Sequence, residues 1–283
     1  MRYLLIGGNG LLGRDIAEAL AGRDVSAPRH AELDITDAEA VLGAVAGHDV
    51  VINSAAFSGV DAAEHDQAGA DAVNARGPQL LAAAAHAAGA RFVQISTDYV
   101  FRGDAHSPYP ERAPLDPLGA YGRSKAAGER LATAASDGHL HIVRTAWLYG
   151  AHGNNFARTI ARKAEAGDTL TVVDDQIGQP TWTRDVAARV VDMLDLELPE
   201  GIYHATNAGQ ASWFEFACAV VAGIGRDAAT VLPTDSSTYV RDAPRPAYSV
   251  LGHDGWASTP LPPLRNWREA LAAAAAAGVL DVR

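Results

Sequence analysis

A short apolar run at the start of the chain, Tyr3-Leu4-Leu5-Ile6, breaks into a glycine-spaced turn, Gly7-Gly8-Asn9-Gly10-Leu11-Leu12-Gly13, and no other feature constrains the fold as tightly. A strand that ends in glycines and continues as a helix is the opening unit of an open parallel α/β sheet. In such sheets ligands sit beyond the carboxyl ends of the strands, where backbone N–H groups and a positive helix end suit a pyrophosphate. The spacing is Gly-x-x-Gly-x-x-Gly, not the commoner Gly-x-Gly-x-x-Gly, and Gly8 adds further freedom. Gly7, Gly10, Leu11, Leu12 and Gly13 are therefore candidate cofactor contacts; the bland alternative is a plain glycine-rich turn.

The rest of the first half alternates short apolar runs with helical patterns, which predicts parallel strands joined by helical crossovers. A second strand is expected near Val25, a third at Val50 to Asn53, a fourth at Phe92 to Ser96 and a fifth at His141 to Arg144. The first helix should run to about Ala21. Thr36-Asp37-Ala38-Glu39 has the spacing of a capping box. Pro78 suits the first turn of an Ala-rich helix ending near Gly89, and four prolines between Asp104 and Pro117 predict a loop.

Beyond Gly150 the alternation decays. Helices are expected at 155–166, 183–194 and around the Ala272 to Ala277 run, extended segments at 170–173 and 202–204, and a second capping box at Ser212-Trp213-Phe214-Glu215. The fold class expected is α/β, a Rossmann-type doubly wound parallel sheet with a smaller C-terminal α/β subdomain. The expected division is 1–150, with returning segments near 176–205, for the cofactor, and 151–175 with 206–283 for the substrate.

With 283 residues, 48% of them hydrophobic, the chain can bury an enzyme-sized core. A net charge of -11 without a dense basic run argues against a nucleic-acid surface. The single cysteine, Cys218, excludes an internal disulfide and a cysteine-rich zinc site. No secretory signal and no apolar stretch of about 20 residues is visible, so no membrane partner and a cytoplasmic location are expected.

Chemistry is carried by Tyr121-Gly-Arg-Ser-Lys125, whose i, i+4 spacing puts a phenol and an ammonium on one helical face. A neighbouring cation stabilises a phenolate, so Lys125 is expected to lower the Tyr121 pKa. Such a pair alone is a common surface motif. Its context is Ser96-Thr97-Asp98 at the end of the fourth strand, 24 residues upstream of Tyr121 counted from Thr97. A hydroxyl to hold a carbonyl oxygen, a phenol to give a proton and an ammonium to tune it make the set for carbonyl reduction. After the second strand stands Arg29, with no carboxylate until Glu32. An arginine there can pair with a 2′-phosphate, which favours NADPH over NADH. Asp34 and Ile35 are candidates for the adenine side, or simply the start of the next helix.

These residues resemble the extended short-chain dehydrogenase/reductases and, within them, the dTDP-4-dehydrorhamnose reductase family. The resemblance spans nearly the whole chain. Its narrower segments are Asn53 to Glu64, Ser96 to Phe101, Tyr121 to Lys125 with Gly128-Glu129, Arg144 to Gly150, Gly153 to Phe156, Asp175 to Thr181, and Arg245-Pro246 with Ser249. It implies reduction of the 4-keto group of a dTDP-6-deoxyhexose by NADPH or NADH, normally giving dTDP-L-rhamnose. Thr97, Tyr121 and Lys125 would be catalytic, and Ala55, Ala56, Tyr121 and Lys125 would join the cofactor site. Val60, Asp61, Asp98, Tyr99, Trp147 and Asn155 would line the sugar-nucleotide side, with Arg245 on the diphosphate.

Departures from the family pattern are Leu11, where many members carry Gln, and Ala62, where Lys is frequent. Some members are dimers bridged by a divalent metal held near the C-terminus. The tail Gly278 to Arg283 shows no such cluster, so no metal is expected, and the chain is a monomer or homodimer. Phe57 and Ala62 are the first places to look for acceptor choice. The alternatives are a reductase for another dTDP-4-keto-6-deoxysugar, such as the dihydrostreptose branch, and a non-catalytic NADP-binding subunit like the regulatory subunit of methionine adenosyltransferase.

Overall fold

The structure, a computed structural model, describes residues 1–282. Six strands form one parallel sheet: β1 (Arg2–Ile6), β2 (Asp24–Ser26), β3 (Val50–Asn53), β4 (Arg91–Thr97), β5 (His141–Thr145) and β6 (Gly201–His204). Their order across the sheet is β6-β5-β4-β3-β1-β2, with every pairing parallel. The chain runs outward from β1 to β2, then crosses back to lay β3 on the other side of β1. That reversal is a topological switch point, and it opens a crevice beyond the carboxyl ends of β1 and β3.

Period-two alternation assigns the strand residues to two faces. Tyr3, Leu5, Val50, Ile52 and Val93 pack with Ile16, Val186 and Val190 from the Leu11–Ala19 and Thr183–Asp195 helices. Leu4, Ile6, Val51, Phe92 and Ile142 pack with Val41, Leu81, Ala85 and Ala132 from the Ala38–Val45, Gly77–Ala87 and Ala120–Ala135 helices. Both faces are covered, so the strands read as continuous apolar runs. The fold is the doubly wound Rossmann type.

A further core gathers Tyr149, Ile160, Trp182, Phe216, Val220, Trp267 and Leu271 between the helices Phe156–Glu165, Trp213–Gly223 and Trp267–Ala276. Among the described residues only two-stranded pairings support it, including Leu170–Val173 with Val231–Thr234 and Ile177–Gly178 with Ala211–Ser212. The expected second capping box is present: Ser212 accepts from the Glu215 N–H at 3.0 Å and Glu215 accepts from the Ser212 N–H at 2.9 Å.

One local expectation is corrected. Asp37, not Thr36, caps the Ala38–Val45 helix, accepting from the Glu39 and Ala40 N–H groups at 2.9 and 3.2 Å. Thr36 instead donates its N–H and hydroxyl to Asp34, because a shorter Asx turn captures it first. Between β3 and the Gly77–Ala87 helix the chain forms two short helices, Val60–His65 and Gln67–Asp71, and a π-helical turn, Ala72–Arg76.

Candidate active site

Beyond β1 and β3 lies a cavity of about 840 Å³, within the range of ligand sites. The glycines shape its floor. Gly7 has φ +78°, and a Cβ there would lie 2.6 Å from the Ala55 nitrogen and 2.8 Å from the Ser54 carbonyl carbon, so only glycine lets the two loops meet. A Cβ on Gly13 would overlap the Gly7 carbonyl oxygen, so the helix can approach the turn only there. Gly10 caps the Leu11–Ala19 helix with no side-chain hydrogen bond, which leaves first-turn N–H groups for an anion. This cradle fits the diphosphate of a dinucleotide.

Gly7, Gly10, Leu11, Leu12, Ala55 and Ala56 line the cavity; Arg29, Asp34 and Ile35 line it beyond β2, and Val60, Thr97, Asp98, Tyr99, Tyr121, Lys125 and Trp147 on the opposite side. Arg29 is paired within its own loop, its guanidinium 2.6 Å from Glu32. The pair is exposed and screened by solvent, so the arginine is free to exchange partners.

Thr97 ends β4; its Oγ1 donates to Asp98 Oδ1 at 2.9 Å and accepts from the Tyr99 N–H at 3.2 Å. Asp98 is 2% exposed, and its Oδ2 has no hydrogen-bond partner. Burial pushes this carboxyl up to about 6, against the side chains of Ser249 and Thr97, which pull it down.

Tyr121 stands in the first turn of the Ala120–Ala135 helix, edge-on to Tyr99 with centroids 5.7 Å apart. That turn is anchored by Glu64, which accepts the Ala120 N–H at 2.7 Å. Lys125, 4% exposed, donates from Nζ to the Ile95 carbonyl at 2.8 Å. Burial pulls its ammonium down to about 8, with Glu129 opposing. The expected lowering of the phenol by Lys125 is not what the geometry yields. Burial first, then the Asp98 charge, pushes Tyr121 up to about 12, and Thr97 is the group that pulls it down. Desolvation dominates, and the Lys125 ammonium is committed to a backbone oxygen and not to the phenol. Tyr121 is thus protonated at neutral pH, the form a proton donor needs, and Lys125 is largely cationic.

A hydroxyl, a protonated phenol and a cation sharing one cavity with a diphosphate cradle is an arrangement suited to carbonyl reduction. Residues 1–279 match the family model described as RmlD substrate binding domain. The chain belongs to the RmlD family. It is 47% identical over 278 residues to a dTDP-4-dehydrorhamnose reductase of Streptomyces griseus, covering 95% of this chain and 91% of that protein. To a probable dTDP-4,6-dihydroxy-2-methyloxan-3-one 4-ketoreductase of Streptomyces antibioticus it is 46% identical over 276 residues, covering 96% and 93%. A crystal structure of dTDP-4-dehydrorhamnose reductase from Bacillus anthracis in complex with NADP superimposes with a TM-score of 0.93 at 35% identity, covering 96% of this chain and 98% of that one.

In this RmlD-family chain several residues expected at the site lie elsewhere. Asn155 is consumed by local structure: Oδ1 caps the Phe156–Glu165 helix at the Arg158 N–H, 3.2 Å, and Nδ2 donates to the Gly150 carbonyl, 2.9 Å. Its neighbour Asn154 lines the cavity instead. Asp61 and Arg245 are joined to each other at 2.8 Å, so the arginine reaches any phosphate with its charge already shared. Arg245 lines a second cavity, of about 540 Å³, with Lys163, Gln176 and Arg241. Phe57 borders the first cavity; Ala62 borders neither.

Sequence reasoning missed Asn74. Held in the π-helical turn and 1% exposed, it accepts the Phe57 N–H at 2.9 Å and donates to the Phe57 carbonyl and to Ser124 Oγ, each at 3.0 Å. It ties the loop after β3 to the helix of Tyr121. Nothing local marks it. Among the described residues one group, Asp15, Glu18 and His152, brings potential metal-ligand atoms within 4.8 Å of one another, with the Arg184 guanidinium 3.6 Å from Glu18. No described helix is long and apolar enough to cross a membrane.

Proposed function

We propose that this chain is an NAD(P)H-dependent reductase that converts the 4-keto group of a dTDP-4-dehydro-6-deoxy-L-hexose, dTDP-4-dehydrorhamnose, to a hydroxyl, giving dTDP-L-rhamnose in deoxysugar biosynthesis. The observation that carries it is Thr97, Tyr121 and Lys125 lining the cavity floored by the Gly7 to Leu12 turn. A bound dihydronicotinamide supplies the hydride that the sugar C4 receives. Tyr121 donates its phenolic proton to the C4 oxygen as charge builds there. Thr97 orients that oxygen from its place beside the phenol. Lys125 supplies a fixed positive charge in a desolvated site, where it acts more strongly than in water. Asp98, Tyr99, Val60 and Trp147 enclose the hexose, and Arg245 with Arg241 and Lys163 in the second cavity offers cations to the nucleotide diphosphate.

In this reading residues 1–150, with returning segments near 176–205, hold the cofactor, and 151–175 with 206–283 hold the sugar nucleotide. NADPH is preferred through Arg29. The near-equal identity to the Streptomyces antibioticus 4-ketoreductase supports a second reading, reduction of another dTDP-4-keto-6-deoxysugar by the same residues. The test mixes the protein with NADPH and dTDP-4-keto-6-deoxy-L-lyxo-hexose, follows absorbance of the reduced cofactor and identifies the product by NMR. Tight NADP binding without substrate-dependent oxidation would favour a non-catalytic binding protein. Tyr121→Phe should keep NADPH affinity and lower kcat by about 10²- to 10⁴-fold, the range for a lost general acid; undiminished turnover would remove Tyr121 as the donor.

A further inference from the structure

Among the described residues the two cavities share two lining residues, Tyr99 and Trp213. Tyr99 touches the phenol of Tyr121. On the other side of this neck Trp213 lies flat on Trp147, centroids 3.5 Å apart and planes at 6°. Trp147 is held in an unusual state: its φ is +46°, a left-handed backbone that bulky residues rarely adopt. Strain of this kind persists where surrounding structure over-determines it, and it clusters at functional sites.

The surroundings are specific. Gly178 faces the indole of Trp147 so closely that any Cβ there would overlap the ring. Gly178 pairs with Ala211 in the Ile177–Gly178 and Ala211–Ser212 ribbon, and Ser212 caps the helix whose first residue is Trp213. The register of one short ribbon therefore sets both sides of the Trp147 indole. Phe156 packs against Trp213 at a tilt, centroids 4.5 Å apart. Trp147 is packed between Gly178 and Trp213, so the edge it turns to the first cavity has one orientation.

We infer that Trp213 is a positioning residue for the sugar: by clamping Trp147 it fixes the wall against which the hexose rests, and so sets the angle at which the C4 carbonyl meets Tyr121. The inference rests on the proposed function, with the hexose in the first cavity and the nucleoside diphosphate in the second. Trp213 acts through Trp147 and not as a contact to the nucleotide, although it borders both spaces.

The experiment uses the full chain with the substitutions Trp213→Ala, Trp213→Phe, Trp147→Ala and the double variant. In Trp213→Ala the KM for the keto-sugar nucleotide should rise about tenfold, the upper end of what an aromatic pair contributes beyond buried area. NADPH affinity and dTDP affinity, read by tryptophan quenching, should stay within about twofold, which also shows that the variant is folded. Trp213→Phe should recover most of the loss. In the Trp147→Ala background, Trp213→Ala should add less than about twofold, since a clamp without its client has nothing to hold. An unchanged KM in Trp213→Ala, an equal fall in dTDP affinity, or a full additional loss in the double variant would each overturn the clamp. Failure of the wild-type chain to oxidise NADPH with any keto-sugar nucleotide would defeat the functional reading instead, and product-sugar nucleotide binding against dTDP binding then decides the clamp in the same variants.

Discussion

Arg144→Met is the substitution whose consequences the structure defines most fully. Arg144 is 1% exposed, with Nε and Nη2 donating to Glu129 at 2.9 and 2.6 Å and Nη1 donating to the Glu111 carbonyl at 2.9 Å. Its guanidinium also stands 5.0 Å over the Phe101 ring, and Glu129 takes a further bond from Ser96 Oγ at 2.5 Å. Methionine retains the stem and removes the charge, leaving Glu129 buried with one neutral donor. Breaking a buried pair from one side costs about 3–5 kcal/mol. Against a typical stability of about 5–15 kcal/mol, and at about 2–4 °C per kcal/mol for a chain this size, the melting temperature should fall by about 6–20 °C. Activity should fall further than stability explains. Glu129 lies one helical turn beyond Lys125 and is the charge that holds its pKa up. Freed from Arg144, the carboxylate competes with the Ile95 carbonyl for the ammonium. Urea unfolding by circular dichroism and NADPH oxidation well below the melting range give the two readouts. The double substitution Arg144→Met with Glu129→Leu removes the orphaned charge and should recover more than half of the lost stability. A single variant within about 1 kcal/mol of wild type, or a double variant less stable than the single, would refute the account.

Three other outcomes follow from the same geometry. Because the Lys125 pKa is depressed from 10.5 to about 8, the unfolded chain binds more protons between those values; stability therefore gains from this group as pH rises through that window, while activity, which needs the cation, falls through about pH 8. Rate and unfolding profiles moving in the same direction from pH 8 to 10 would contradict this. Gly13→Ala should abolish NADPH binding or folding, since its Cβ would meet the Gly7 carbonyl; an isothermal titration matching wild type would show that the turn is not the cradle. Arg29→Ala should raise the KM for NADPH about tenfold or more and leave NADH unchanged, as charge-assisted bonds to a phosphate contribute about 1.5–3 kcal/mol. Equal losses with both cofactors would mean that the arginine serves only its loop.

What could be read in the chain was what is encoded within one turn or one strand. The Gly7 to Gly13 spacing, the apolar runs of β1, β3, β4 and β5 and the one-face placement of Tyr121 and Lys125 depend on near neighbours, and each stands in the structure as read. Sharing a face was not enough to fix the chemistry. Where the Lys125 ammonium points is decided by Ile95, thirty residues earlier, and how acidic Tyr121 is depends on desolvation and on Asp98, neither visible in helical spacing. Asp61 and Arg245 were each read as facing the sugar nucleotide, yet they face one another across 184 residues. The Ser212 capping box shows the same limit most sharply. As a local signal it marks a helix start and says nothing of the indole that follows it. That indole acquires a role only when the Gly178 and Ala211 register brings it onto Trp147, whose positive φ no propensity would suggest. Backbone that must bend for a ligand is legible when glycine permits the bend; where a tryptophan is forced into it, the force comes from contacts distant in sequence, and only the assembled fold displays them.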